Sequence, residues 1–174
     1  HIAVISGPAS ASDNQTRLEG FFAELSREGI AREDVTLIES DFSPEGGYAA
    51  AQKLLDSKRR FTGLFCANDT MAVSVLARFH QAGIAVPDDV SVIGYDDDYS
   101  AAYAAPGLTS VHIPTAELTQ NAVRWLVNQC YGTSWEITRE FPVSVTMRES
   151  VGQVPGTLAR GTGSAYVPLR SDCS

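Results

Sequence analysis

Gly63-Leu64-Phe65-Cys66-Ala67, a polar break at Asn68-Asp69-Thr70, a segment of helical length closing at Ala82-Gly83, and then Val90-Ser91-Val92-Ile93-Gly94-Tyr95 decide the fold. Two short apolar runs flank one helix, which Gly83 stops and Pro87 keeps from resuming. A strand that is apolar along its whole length is buried on both faces. Strands joined through helices run parallel, by right-handed crossovers.

The unit repeats outward. Upstream, Ile2-Ala3-Val4-Ile5 ends at Ser6-Gly7-Pro8, and Leu18, Phe21, Phe22 and Leu25 recur at helical spacing before Gly29. Val35 to Ile38 is a second strand, followed by Ser43-Pro44 as N-cap and first-turn pair and by a helix over Tyr48 to Leu55. Downstream, Asp96 to Gly107 reads as irregular and Thr109 to Ile113 as extended. Leu118, Ala122, Trp125, Leu126 and Gln129 fall on one face of a last helix, and Phe141, Val143 and Val145 alternate as a last strand. The expected architecture is α/β, a doubly wound parallel sheet covered on both faces. Residues 151–174 are rich in Gly, Pro, Ser and Thr without period and are expected to be a mobile tail.

A length of 174 residues with 44 % hydrophobic content is enough for one core. The net charge of −8 repels phosphates, so this surface is not expected to hold DNA. Cys66, Cys130 and Cys173 lie far apart with no metal-ligand spacing, which predicts no disulfide, Cys66 buried as a small apolar group, and a reducing cytoplasm. No apolar run is long enough to span a membrane and no leader opens the chain, so no membrane contact is expected. The immediate entry from His1 into a strand is read as an internal position of a longer protein.

In an open α/β sheet, ligands bind outside the carboxyl ends of the strands, where loops meet helix N-termini. Those ends carry Asp13 and Arg17, then Asp41 and Phe42, then Asn68 and Asp69, then Asp96, Asp97 and Asp98. Carboxylates, a planar five-donor cation, an amide and an aromatic face suit a polyhydroxylated or heterocyclic ligand. Each residue also has a plainer reading. Asn68 or Asp69 caps the next helix, Arg17 is a solvated surface arginine, Phe42 is core and the acidic run is a hydrated turn. A rival reading makes Asp96-Asp97-Asp98 a metal site for phosphoryl transfer. No P-loop or positioned lysine accompanies it, and His1, His80 and His112 form no nucleophile-base pattern, so no catalysis, metal or cofactor is expected.

Asn68-Asp69-Thr70-Met71-Ala72, Gly83-Ile84-Ala85-Val86-Pro87, the run from Val90 to Asp97, and Pro106-Gly107-Leu108-Thr109-Ser110-Val111 resemble the lactose/galactose-repressor (LacI/GalR) family. The likeness continues through Ile5 to Pro8, Arg17 to Phe21, Asp41 to Tyr48, and Pro142 to Val145 with Arg148, covering nearly all of residues 1–150. The resemblance implies a periplasmic-binding-protein-like (type I) core of two lobes, an effector between them, and a helix-turn-helix head that contacts operator DNA. This chain would be an effector-binding region over 1–150, mainly the second lobe. Its helix 115–131 would pack on the first lobe, and alone would expose Leu118, Trp125 and Leu126.

By the same resemblance Arg17 clamps the effector, Phe42 stacks on its ring, Asn68 makes a polar contact and Asp96 accepts from hydroxyl or N–H groups. Asp13 lies at a variable contact position, and Thr115 where some members place an aromatic. Val73, Leu76 and Tyr103 fall at the homodimer interface. The effector is expected to be a sugar or sugar derivative rather than a nucleobase. An extracytoplasmic sugar-binding transport receptor of the same fold is the alternative.

Overall fold

The computed structural model describes residues 1–153; residues 154–174, which include Cys173 and most of the expected tail, lie outside the described residues. The sheet holds β1 (Ile2–Ser6), β2 (Thr36–Glu39), β3 (Gly63–Cys66), β4 (Ser91–Asp96), β5 (Thr109–His112) and β6 (Ser144–Thr146), in the order β2-β1-β3-β4-β5-β6. The first five strands are parallel, as expected, and β6 is antiparallel to β5. After β2 the chain crosses back over β1 to place β3 on its other side. The crevice at the carboxyl ends of β1 and β3 is therefore the topological switch point.

Helices α1 (Ser12–Arg27), α2 (Pro44–Asp56) and α3 (Asp69–Gln81) follow the first three strands. The Ser43 hydroxyl accepts from the Gly46 amide at 2.9 Å and Pro44 occupies the first turn, so α2 starts four residues earlier than its Ala-rich core suggests. On α2 the buried positions are Gly47, Ala50, Ala51 and Leu54; on α3 they include Met71, Ala72, Val75, Leu76 and Phe79. Both sets recur every three or four residues and close over the Leu64, Cys66 and Val92 face of the sheet. The two helices touch through Gly47. A Cβ there would stand 2.6 Å from the Met71 Cα, so only glycine permits this approach.

The other face differs from expectation. α1 covers it with Phe21 stacked on Phe65 at 5.3 Å, but Phe65 and Ile93 remain only half-buried. A short helix, α4 (Tyr99–Tyr103), occupies the stretch read as irregular. Asp98 starts it by accepting from the Ser100 and Ala101 amides.

Helix α5 (Thr115–Tyr131) buries no residue, and Leu118, Trp125 and Leu126 are exposed. Two of its polar side chains hold the segment that follows: Asn121 binds the Thr138 backbone on both sides, and Asn128 does the same for Trp135. The chain then rejoins the sheet at β6, a shorter strand than the alternation of Phe141, Val143 and Val145 suggests. Ser150, fully buried, donates to the Val92 carbonyl and accepts from the Thr109 amide, locking the return across β4 and β5. Cys66 is buried and Cys130 exposed, and both are free thiols. Among the described residues no helix is long and apolar enough to cross a membrane.

Candidate functional site

The loop after β1 is shaped by Asn14, a buried amide. Its Oδ1 accepts from the Gly7 amide at 2.8 Å, and its Nδ2 donates to the Gly7 and Pro8 carbonyls. Gly7 leaves room for an aromatic ring, since the Phe42 Cζ sits 2.0 Å from where a Cβ would be. Phe42 itself adopts φ 67°, a left-handed conformation uncommon for a bulky residue, and this turns its ring over the loop.

Arg17, on the second turn of α1, occupies the middle of the crevice. Its Nη1 donates to the Ala67 carbonyl beyond β3 at 2.6 Å. Its Nη2 lies 3.2 Å from Asp13 and 3.8 Å from Asp96. The guanidinium is 4.3 Å from the Tyr95 ring centroid and 5.8 Å from that of Phe42, so two aromatic faces support one cation. Asn68 has structural work on both ends. Its Oδ1 caps α3 by accepting from the Met71 amide, and its Nδ2 donates to the Phe42 carbonyl at 3.1 Å. Asp13, Arg17, Phe42, Asn68 and Asp96 are thus brought together on one rim through these contacts. The helix-capping alternative for Asn68 holds alongside its place there. Thr115 is exposed at the start of α5 and donates to the Ile113 carbonyl.

The acidic run divides. Asp96 and Asp97 have φ 109° and 55°, so the backbone after β4 reverses sharply and the adjacent carboxylates separate. Asp98 caps α4. Asp97 accepts from Arg148 Nη2 and Thr146 Oγ1, each at 2.7 Å, and lies 3.0 Å from His112 Nδ1. Burial favours its neutral form, but hydrogen bonds from Thr146, Arg148 and His112 outweigh burial and hold its pKa below the ordinary value. Asp96 is half-exposed, and among the described residues its carboxylate makes no hydrogen bond; the Arg17 ion pair is its one cationic contact. Burial raises its pKa, Arg17 opposes this, and Asp98 and Asp13 add to the rise. The three acids therefore do not converge on a metal, and no group of three potential ligands forms among the described residues.

Some residues that shape the rim escaped the sequence reading. The sequence places Tyr95 only in a strand, although a tyrosine one residue before the terminal acid of a strand is a usable signal. Asp69, expected at the third strand end with helix capping as the alternative, does not cap α3, which Asn68 does. Asp69 is fully buried, accepts from Ser110 Oγ at 2.6 Å and from the Asp98 amide at 2.9 Å, and lies where Gly94 lacks a side chain. Burial pushes its pKa up to about 6, against the hydrogen bonds from Ser110 and Asp98. Asp41 accepts from the Ser43 amide and hydroxyl and organises the start of α2.

The expected dimer residues separate. Tyr103 is exposed, 4.5 Å from the Tyr99 ring, and Val73 is half-buried at the core's margin. Leu76 is 4 % exposed and packs in the chain's own core, because its spacing from Ala72 and Phe79 turns it toward the sheet.

The family model for the periplasmic binding protein-like domain matches residues 1–151. The chain is 38 % identical over 128 residues to the HTH-type transcriptional repressor PurR of Erwinia tasmaniensis, covering 74 % of this chain and 38 % of that protein. It is similar to the structure of a LacI-family transcriptional regulator from Burkholderia phymatum, with 79 % identity, TM-score 0.85, and coverage of 87 % of this chain and 55 % of that one. A complex of the transcriptional regulator CelR with cellobiose matches at 33 % identity and TM-score 0.78, covering 86 % of this chain and 46 % of the other. The chain thus spans about two fifths of the length of the curated relatives it matches and about half of these structures.

Proposed function

The chain belongs to the lactose/galactose-repressor family, within its periplasmic-binding-protein-like effector region, and we propose that it binds a neutral, polyhydroxylated small molecule, a sugar, at the switch-point crevice. The observation that carries this reading is the Asp96 carboxylate, drawn partly out of water beside Arg17 yet accepting no hydrogen bond from the described residues. A half-exposed carboxylate with no donor from the described residues is open to ligand hydroxyls, which replace water there with charge-assisted hydrogen bonds. Arg17 supplies the opposite polarity to the same ligand, and the half-buried Phe42 ring provides an apolar face. Asp13 and Asp96 flank the one cation, so the rim disfavours anions such as sugar phosphates.

The whole protein acts in the cytoplasm as a transcriptional repressor and not as an enzyme. The bare apolar face of α5 packs on a first lobe, and ligand between the lobes shifts the DNA-competent population. Two copies associate through the surface around Val73 and Tyr103, and a head outside this region reads the operator, since the charge of −8 here repels DNA. A thermal-shift screen of the full-length protein against cellobiose, D-galactose, D-ribose, their phosphates and purine bases tests the reading. A neutral sugar is expected to stabilise the wild type and not Asp96→Asn, with a ligand at 100 times its Kd adding about 2.7 kcal/mol. Stabilisation by purine bases or phosphates alone would refute it.

A further inference from the structure

Asp97 stands next to the carboxylate assigned to the ligand, but its own side chain is committed elsewhere. Its three side-chain partners come from two places on the chain. His112 is the last residue of β5, immediately before Ile113-Pro114 lead into α5. Thr146 is the last residue of β6, by which the chain returns after α5, and Arg148 follows two residues later. Arg148 is anchored in turn through Nη1 to the Leu108 carbonyl at 2.6 Å, and the Asp97 amide donates to Ser110 Oγ on β5 at 3.0 Å. One carboxylate therefore fastens the outgoing and the returning ends of the α5 excursion to the turn that presents Asp96.

We propose that Asp97 is a positioning residue that couples the Asp96 carboxylate to the two chain crossings on either side of α5. Asp96 and Asp97 both hold positive φ, a conformation uncommon for residues with a side chain that persists where the surrounding contacts fix it. Movement of Asp96 toward a ligand pulls on Thr146, Arg148 and His112; displacement of β6 or of the β5 end moves Asp96. Coupling of this kind needs a shared rigid element, and the reversed turn over residues 96–97 is that element. The functional importance of the coupling rests on the ligand role proposed for Asp96, whereas the coupling itself does not.

The test is a pH titration of the Asp96 side-chain carbon by 13C NMR in the full-length protein, assigned by its loss in Asp96→Asn. Thr146→Val removes one hydrogen bond to Asp97 without changing charge or shape. The expected result is a folded variant in which the Asp96 midpoint falls toward the ordinary aspartate range, because the loosened turn lets water reach a group that burial had raised. Arg148→Met supplies a second reading of opposite sign to simple electrostatics: loss of a nearby cation alone raises the Asp96 midpoint, whereas loosening lowers it. An unchanged or higher midpoint in either variant overturns the proposal. If D-galactose or another neutral sugar binds the wild type while Asp96 stays fixed in both variants, the coupling fails and the ligand reading stands. If Asp96 responds as expected but no sugar binds, the coupling stands and the ligand reading fails.

Discussion

Asp69→Asn should make the protein more stable at neutral pH and remove a segment of its pH dependence. Asp69 is fully buried, and burial raises its pKa from 3.8 to about 6. Each pKa unit corresponds to about 1.4 kcal/mol, so holding this carboxylate ionised costs the folded state about 3 kcal/mol. Since the folded-state value is the higher one, the native protein binds the proton more tightly than the unfolded chain between about pH 4 and 6. On this account stability rises as pH falls through that window and is constant above it.

Asparagine keeps the shape and one of the two acceptors. Its carbonyl accepts from the Asp98 amide, and its amide donates to Ser110 Oγ, which also accepts from the Asp97 amide, so the buried Ser110 hydroxyl hydrogen has to leave residue 69 and this subtracts from the gain. Urea melts of both proteins from pH 4 to 8 measure the difference, which should be near zero at pH 4 and approach 3 kcal/mol above pH 7, less any loss from imperfect geometry. Asp97 acts with the opposite sign and in a lower window, because its depressed pKa gives stability that is lost as pH falls below about 4. A difference profile flat from pH 4 to 8, or one in which the variant is less stable at pH 7, would refute the argument.

Asp96→Asn should weaken binding of the sugar found by thermal shift by about 100-fold, near 2.7 kcal/mol, with little change in the unliganded melt; titration calorimetry reads it. Gly7→Ala drives a methyl group into the space held by the Phe42 ring, and should lower the same affinity by roughly 10-fold while the far-ultraviolet circular dichroism stays unchanged. Gly47→Ala places a Cβ against the Met71 backbone, so overpacking outweighs the gain in helix propensity and a urea melt should show a loss of about 2 kcal/mol.

Much of the fold was legible because burial and periodicity are written in the order of residues. Ile2 to Ile5 is apolar throughout and Val90 to Tyr95 is interrupted by one hydroxyl, Ser91, and their strands β1 and β4 both lie inside the parallel part of the sheet. The switch-point rule then placed Asp13, Arg17, Phe42, Asn68 and Asp96 together before any coordinate, since it needs only strand order and chain direction. What stayed hidden was whatever depends on contacts between distant segments. Leu76 looks no different from a surface leucine until α3 is laid on the sheet, where it turns inward. The division of labour among Asp96, Asp97 and Asp98 was equally hidden, because it is decided by Arg148, Thr146 and His112 arriving from up to 51 residues away and by two positive φ angles. A run of three identical side chains carries no label for which one faces the crevice. The physical criterion that separates them is hydrogen-bond supply. Asp97 and Asp98 have their donors within the chain, whereas Asp96 has none among the described residues. By that criterion Asp96 is the acid left open to donors from outside the chain, so replacing it should change binding more than folding, while replacing Asp97 or Asp98 should change folding first.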